Sequence, residues 1–324
     1  MKRFLDRIRP GRKIHGISAV FLPFRPDGTP DLEGFERHLA RTVRSGLEPA
    51  VNMDTGFGPE LSPRRREEVL SIARRVQGPS APFVAGAMPF GEEGDPLAAY
   101  AASVRAILDR GGTPILFPSD ALARASGAEV VEIHRRLLAP CPAALAFELS
   151  PAFAPFGRIH DLETVRRLLE IPNLVGLKHS SLSRSEEIAR LEIRDRERPD
   201  FRIYTGNDLA IDMVLHGSDY LLGLSTFEPE AFAERDRRFA AREEGFFPLD
   251  DALQALGAVA FRDPIPAYKS SAAAYLRLTG ALPDALPHPR CPSRPESETE
   301  LLRPFAERIA RERTSPPTAA EGWS

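Results

Sequence analysis

Short apolar strands alternate with amphipathic helices about every 30 residues, and this repeat limits the possible folds more than any other feature of the chain. The first strand reads as 14–21, closed by Leu22-Pro23-Phe24 and an Asp27-Gly28 turn. Asp31 then precedes apolar positions Leu32, Phe35, Leu39 and Val43 at helical spacing, and Gly46 ends that helix. A second strand at 49–53 leads to Ser62-Pro63, with Ser as cap and Pro at the first helical position. The pattern predicts strands at 83–87, 114–117, 143–148, 174–178, 201–205 and 220–223. Helices are expected at 96–110, 128–138, 161–170, from 185, and at 208–216 and 229–244. Repeated strand–helix units of this length impose parallel strands, and eight of them close into a TIM (β/α)8 barrel, an α/β fold. An open doubly wound sheet is the alternative, but no GxGxxG occupies any strand–helix turn.

Three further helices are expected at 249–261, 265–278 and 296–313, with Pro304 breaking or kinking the last. The chain therefore divides into a basic leader at 1–13, the barrel at 14–245, a C-terminal three-helix extension at 246–313 and a disordered tail at 314–324.

Charge excludes several classes of function. The 43 Lys and Arg are mixed with 46 Asp and Glu, for a net charge of −3. This leaves no basic footprint for nucleic acid and no polybasic membrane patch. No apolar run reaches the ~18 residues of a membrane span, so a cytoplasmic protein is expected. Cys141 and Cys291 lack zinc-ligand spacing, so no metal is expected.

In such barrels chemistry sits at the C-terminal ends of the strands. Those ends carry Asp54-Thr55-Gly56, Asp120, Phe147-Glu148, Lys178-His179-Ser180, Gly206-Asn207-Asp208 and Gly223-Leu224-Ser225. Lys178 closes a wholly apolar strand, Leu174-Val175-Gly176-Leu177. One reading is a lysine snorkelling to water. The other is a desolvated amine that attacks a carbonyl to form a Schiff base, favoured by its place on the catalytic face. The strand-end carboxylates could equally cap helices, Asp208 above all. His179 should face outward, since strand neighbours alternate sides.

From residue 16 to 269 the chain resembles the pyruvate-dependent class I lyases of the dihydrodipicolinate synthase and N-acetylneuraminate lyase family. Ile171-Pro172-Asn173-Leu174-Val175-Gly176-Leu177-Lys178 is similar to its I-P-N-I-V-G-I-K, which carries the Schiff-base lysine. Asp54–Ser62 falls where the family has G-T-T-G-E-x-x-x-L-S. Tyr204-Thr205-Gly206-Asn207-Asp208 matches Y-S-G-D-D, and Asp263-Pro264-Ile265-Pro266 matches N-P-I-P. The resemblance implies an imine on Lys178 with pyruvate or another 2-oxo acid and no separate cofactor. It also implies an aldehyde as possible second substrate, and a homo-oligomer, dimer or tetramer. Thr55 and Gly56 would bind the oxo-acid carboxylate, with Gly206 and Leu222 lining the pocket.

The departures are specific. Phe147 occupies the position of the family's proton-shuttling tyrosine. Ala152 or Phe153 stands near its carboxylate-binding arginine, with Arg158 several residues later. Asp54 and Asp120 fall on the other hydroxyl-relay positions. A carboxylate, Asp54, Asp120 or Glu148, is therefore expected to move the protons. A lyase with an altered relay, either aldolase or dehydratase, is the favoured reading. A true 4-hydroxy-tetrahydrodipicolinate synthase and an oxo-acid-binding barrel without turnover are the alternatives.

Overall fold

The computed structural model describes residues 5–91 and 93–315. Eight parallel strands close into a barrel in chain order. They are β1 Gly16–Ala19, β2 Glu48–Val51, β3 Val84–Ala87, β4 Thr113–Leu116, β5 Ala144–Leu149, β6 Leu174–Ser180, β7 Arg202–Thr205 and β8 Asp219–Leu222. Their buried, mostly apolar residues satisfy both faces of each strand. Ile17, Ala50, Val84, Ile115, Leu145 and Leu221 fill the barrel, while Leu174, Leu177, Ile203 and Leu222 pack with the helices outside it. At the β1–β8 contact only glycine fits at Gly16, where an added Cβ would lie 2.2 Å from the Tyr220 hydroxyl.

The helical signals act as expected where the cap chemistry is local. Ser62 accepts a hydrogen bond from the Arg65 amide, and Pro63 opens the helix Pro63–Gln77. Gly46 ends Leu32–Ser45 in the left-handed region, whereas the Asp31 side chain makes no cap bond.

Two expectations are corrected. The segment after β7 is not an α-helix but a 3-10 turn, Ile211–His216, and the Asp208 carboxylate accepts from the Leu224 amide (2.7 Å) instead of capping it. Pro304 does not break the last helix, which runs Glu298–Thr314. The carbonyl that loses its donor belongs to Glu300, on the exposed side, where water can replace the bond.

Helices Phe246–Ala260, Tyr268–Leu278 and Glu298–Thr314 form the C-terminal extension. Glu298 ties the last of these to its neighbours through Arg262 and the Ser271 hydroxyl (2.5 Å). The connection between them returns to the barrel mouth, where Phe24 donates to the Leu286 carbonyl and the His288 ring lies 4.8 Å from that of Phe24. Residues 316–324 of the expected tail, and 1–4 of the leader, lie outside the described residues. No helix among the described residues is long and apolar enough to cross a membrane.

Candidate active site

Register across three strands sets the centre of the site. Phe147 on β5, Lys178 on β6 and Tyr204 on β7 are neighbours in one inward-facing row. Lys178 is buried, and its Nζ lies 4.1 Å from the centroid of the Phe147 ring. Desolvation pushes the amine down to about 8, although Asp208 and Asp54 favour its charged form. Its stem passes Gly206 so closely that a Cβ there would lie 2.6 Å from Lys178 Cε. Ser180, two residues on, also faces Gly206, and its buried hydroxyl has no hydrogen-bond partner among the described residues.

The next row points the other way. Glu148 and His179 are register partners on the outer face. The Glu148 carboxylate accepts from His179 Nδ1 (2.6 Å), Arg190 Nε (2.5 Å) and the His160 amide (2.9 Å). Burial alone would raise this carboxyl, but His179 and Arg190 outweigh it and hold it at about 2. Glu148 is thus an ionised anchor between barrel and helices, turned away from Lys178. Asp120 is exposed at the start of a short helix, Asp120–Arg124, with Arg124 4.0 Å away, so the structure does not bring it to the amine.

Asp54 does reach the site, but in company that sequence did not reveal. Its carboxylate accepts from the Tyr268 hydroxyl (2.9 Å) and from Lys269 Nζ (2.9 Å), both at the start of the helix Tyr268–Leu278. Desolvation would raise Asp54, yet Lys269 and Tyr268 pull it below the usual carboxylate range. It is therefore not held near neutrality as a proton carrier. The Tyr268 hydroxyl also lies 3.0 Å from Thr55 Oγ1, and its ring stacks on Phe261 at 4.3 Å. Because Tyr268 donates to the carboxylate, Thr55 must donate to Tyr268, which fixes a directed chain from Thr55 to Asp54.

Thr55 and Gly56 lie in a 3-10 turn, Asp54–Gly56, where the Gly56 amide donates to the Met53 carbonyl (3.1 Å). The Gly56 amide is committed within the turn and offers a ligand little. Leu222 packs in the layer outside the barrel, while its neighbour Leu221 faces inward. Just past the end of β8, Gly223 comes up to the site: an added Cβ there would lie 3.1 Å from Thr55 Oγ1.

Asp208 is the carboxylate best suited to proton exchange. It is buried and interacts with Lys178, and desolvation lifts it to about 7 despite the Leu224 amide and the lysine charge. Sequence weighed it only as a helix cap. Tyr268 and Lys269 carried no sequence signal beyond their place just after the Asp263-Pro264-Ile265-Pro266 match.

No protein-family model matches the chain. It is 25% identical over 251 residues to a 4-hydroxy-tetrahydrodipicolinate synthase of Kosmotoga olearia, covering 73% of this chain and 81% of that protein. In fold it is similar to dihydrodipicolinate synthase from Thermotoga maritima, with TM-score 0.77 and 19% identity over 92% of this chain and 99% of the other. The sialic acid aldolase of Ruminococcus gnavus shares the fold at TM-score 0.76 and 16% identity, over 93% of this chain and 99% of the other.

Proposed function

We propose that this chain, which belongs to the dihydrodipicolinate synthase and N-acetylneuraminate lyase family, is a class I lyase that forms an imine between Lys178 and pyruvate or another 2-oxo acid. The observation that carries this reading is the buried Lys178 amine at the barrel mouth, pushed down to about 8 by desolvation. A neutral amine is the nucleophile that carbonyl addition requires, and burial supplies more of it at neutral pH.

In this reading Lys178 Nζ attacks the ketone carbon, and loss of water gives the protonated imine. That cation withdraws electrons from C3, so a C3 proton can leave or a bond from C3 to the next carbon can break. Asp208 takes and returns the proton, since a carboxyl near pH 7 exchanges protons in both directions. The Thr55 backbone amide orients the oxo-acid carboxylate, while the Thr55 hydroxyl, directed to Tyr268 and through it to Asp54, holds the turn in place. Phe147 contributes an apolar wall and no proton.

The test is reduction with borohydride in the presence of pyruvate, followed by peptide mass analysis. A pyruvate-derived adduct on Lys178 is expected. Absence of an adduct with pyruvate and with longer 2-oxo acids would overturn the reading.

A further inference from the structure

The mouth of the barrel has two chemically distinct sides. Asp54, Thr55, Asp208, Tyr268 and Lys269 gather on one side, at the ends of β2 and β7 and on the C-terminal extension. The opposite side, built on the ends of β3, β4 and β5, is aromatic. Phe90 lies 5.1 Å from Phe156, Phe156 lies 6.3 Å from Phe117, and Phe117 lies 5.5 Å from Phe147. The face of Phe147 then meets Lys178 Nζ at 4.1 Å. The outer pair is half-buried and the inner pair fully buried, so a chain of rings leads from the half-open surface to the amine.

The cations described on this side are already engaged: Arg66 donates to the carbonyls of Phe90 (2.6 Å) and Leu61 (2.7 Å), and Arg124 faces Asp120 at 4.0 Å. The arginine of the loop after β5, Arg158, donates to the carbonyls of Ala123 and Ala125. Lys269, across the mouth, is paired with Asp54. A carboxylated or polyhydroxylated aldehyde placed against four phenylalanines would lose its water without replacement hydrogen bonds. A flat apolar group would gain ring contacts there, in offset or edge-on geometry.

From this division we infer that the second substrate is an aromatic aldehyde, seated on the half-buried rings of Phe90 and Phe156 with its carbonyl toward Lys178. The inference rests on the imine proposed above. The enamine formed when C3 loses its proton attacks the aldehyde carbon, making one C–C bond. The carbonyl π pair becomes an alkoxide, which takes up the proton lost from C3. Water then hydrolyses the imine, freeing the Lys178 amine and a 4-hydroxy-2-oxo acid with an aryl group at C4. Cleavage of such an acid is the same sequence reversed.

Pyruvate would be supplied with benzaldehyde, glyceraldehyde or succinic semialdehyde, and the hydroxy-oxo acid quantified by mass spectrometry. Benzaldehyde should exceed each of the others at least tenfold in kcat/KM. Phe156→Ala should lower kcat/KM for benzaldehyde roughly tenfold, the scale of one lost aromatic contact. Phe156→Leu, which keeps apolar volume without the ring, should show a loss in the same direction and serves if the alanine variant misfolds. Equal or better use of glyceraldehyde or succinic semialdehyde, or no effect of either variant, would overturn the inference. Borohydride trapping separates the two levels: an adduct without aromatic preference sinks only the substrate class, whereas no adduct sinks the imine as well.

Discussion

Lys178 Nζ lies 4.1 Å from the centroid of the Phe147 ring, so the amine rests on an aromatic face. Removal from water disfavours the charged amine, Asp208 and Asp54 favour it, and the net position is about 8. The reactive form is the neutral one. The rate of borohydride-trapped imine formation should therefore rise about tenfold per pH unit below 8 and level off above it. A midpoint near the ordinary lysine value of 10.5 would refute the desolvated amine.

Asp208→Asn separates two roles of one carboxylate. The negative charge on Asp208 raises the Lys178 pKa, so its removal should move the trapping midpoint below 8 and speed imine formation at pH 7. Turnover should fall by about 10²–10⁴ if the carboxyl carries the proton. A variant with normal turnover would return Asp208 to a purely structural role as acceptor for the Leu224 amide.

Strand order, the Ser62 cap and the buried lysine at a strand end were legible because each depends on neighbours in sequence. Apolar runs, Ser62-Pro63 and the end of β6 are local patterns. Asp54 and Tyr268 are 214 positions apart, and no periodicity relates such residues. Their contact arises only when the C-terminal extension folds back over the mouth. Glu148 is a different case. The alternation that turns His179 outward applies equally to its register partner Glu148, so its removal from the catalytic set follows from the strand rule alone. Asp208 was obscured by a competing local meaning, since an aspartate after a strand is an ordinary helix cap. In the folded chain the carboxylate instead accepts from the Leu224 amide and interacts with Lys178.

Tyr268→Phe removes the hydroxyl between Thr55 and Asp54 while keeping the ring stacked on Phe261. Thr55 then loses its fixed acceptor, and the turn that presents its backbone amide to the oxo-acid carboxylate loses an anchor. Pyruvate KM should rise and kcat fall together, each by roughly tenfold, the scale of a lost hydrogen bond to an aligned group. Steady-state kinetics with varied pyruvate would check this, and unchanged constants would remove Tyr268 from the site.

Asp54→Asn leaves the buried Lys269 ammonium without its carboxylate. Breaking a buried pair by deleting one partner costs about 3–5 kcal/mol, and the lower end applies because Asp54 is about a third open to solvent. Thermal unfolding should show the loss, and adding Lys269→Met should recover most of it by removing the stranded charge. A double variant no more stable than Asp54→Asn would mean that the pair is not what holds this turn against the extension.

Glu148 contributes to the stability of the fold against acid. Its carboxyl titrates near the ordinary glutamate value of 4.5 in the unfolded chain and at about 2 in the native state. A depressed native pKa contributes stability that is complete above the unfolded value and lost as pH falls toward the native one. The contribution is on the order of 3 kcal/mol, disappearing between about pH 4.5 and 2. Glu148→Gln should flatten the pH dependence of unfolding in that window. It should also lower stability at pH 7, because Arg190 and His179 remain buried around a neutral amide. Denaturant unfolding at stepped pH would measure both effects. A variant with the same acid slope as the parent would show that other carboxylates govern acid unfolding.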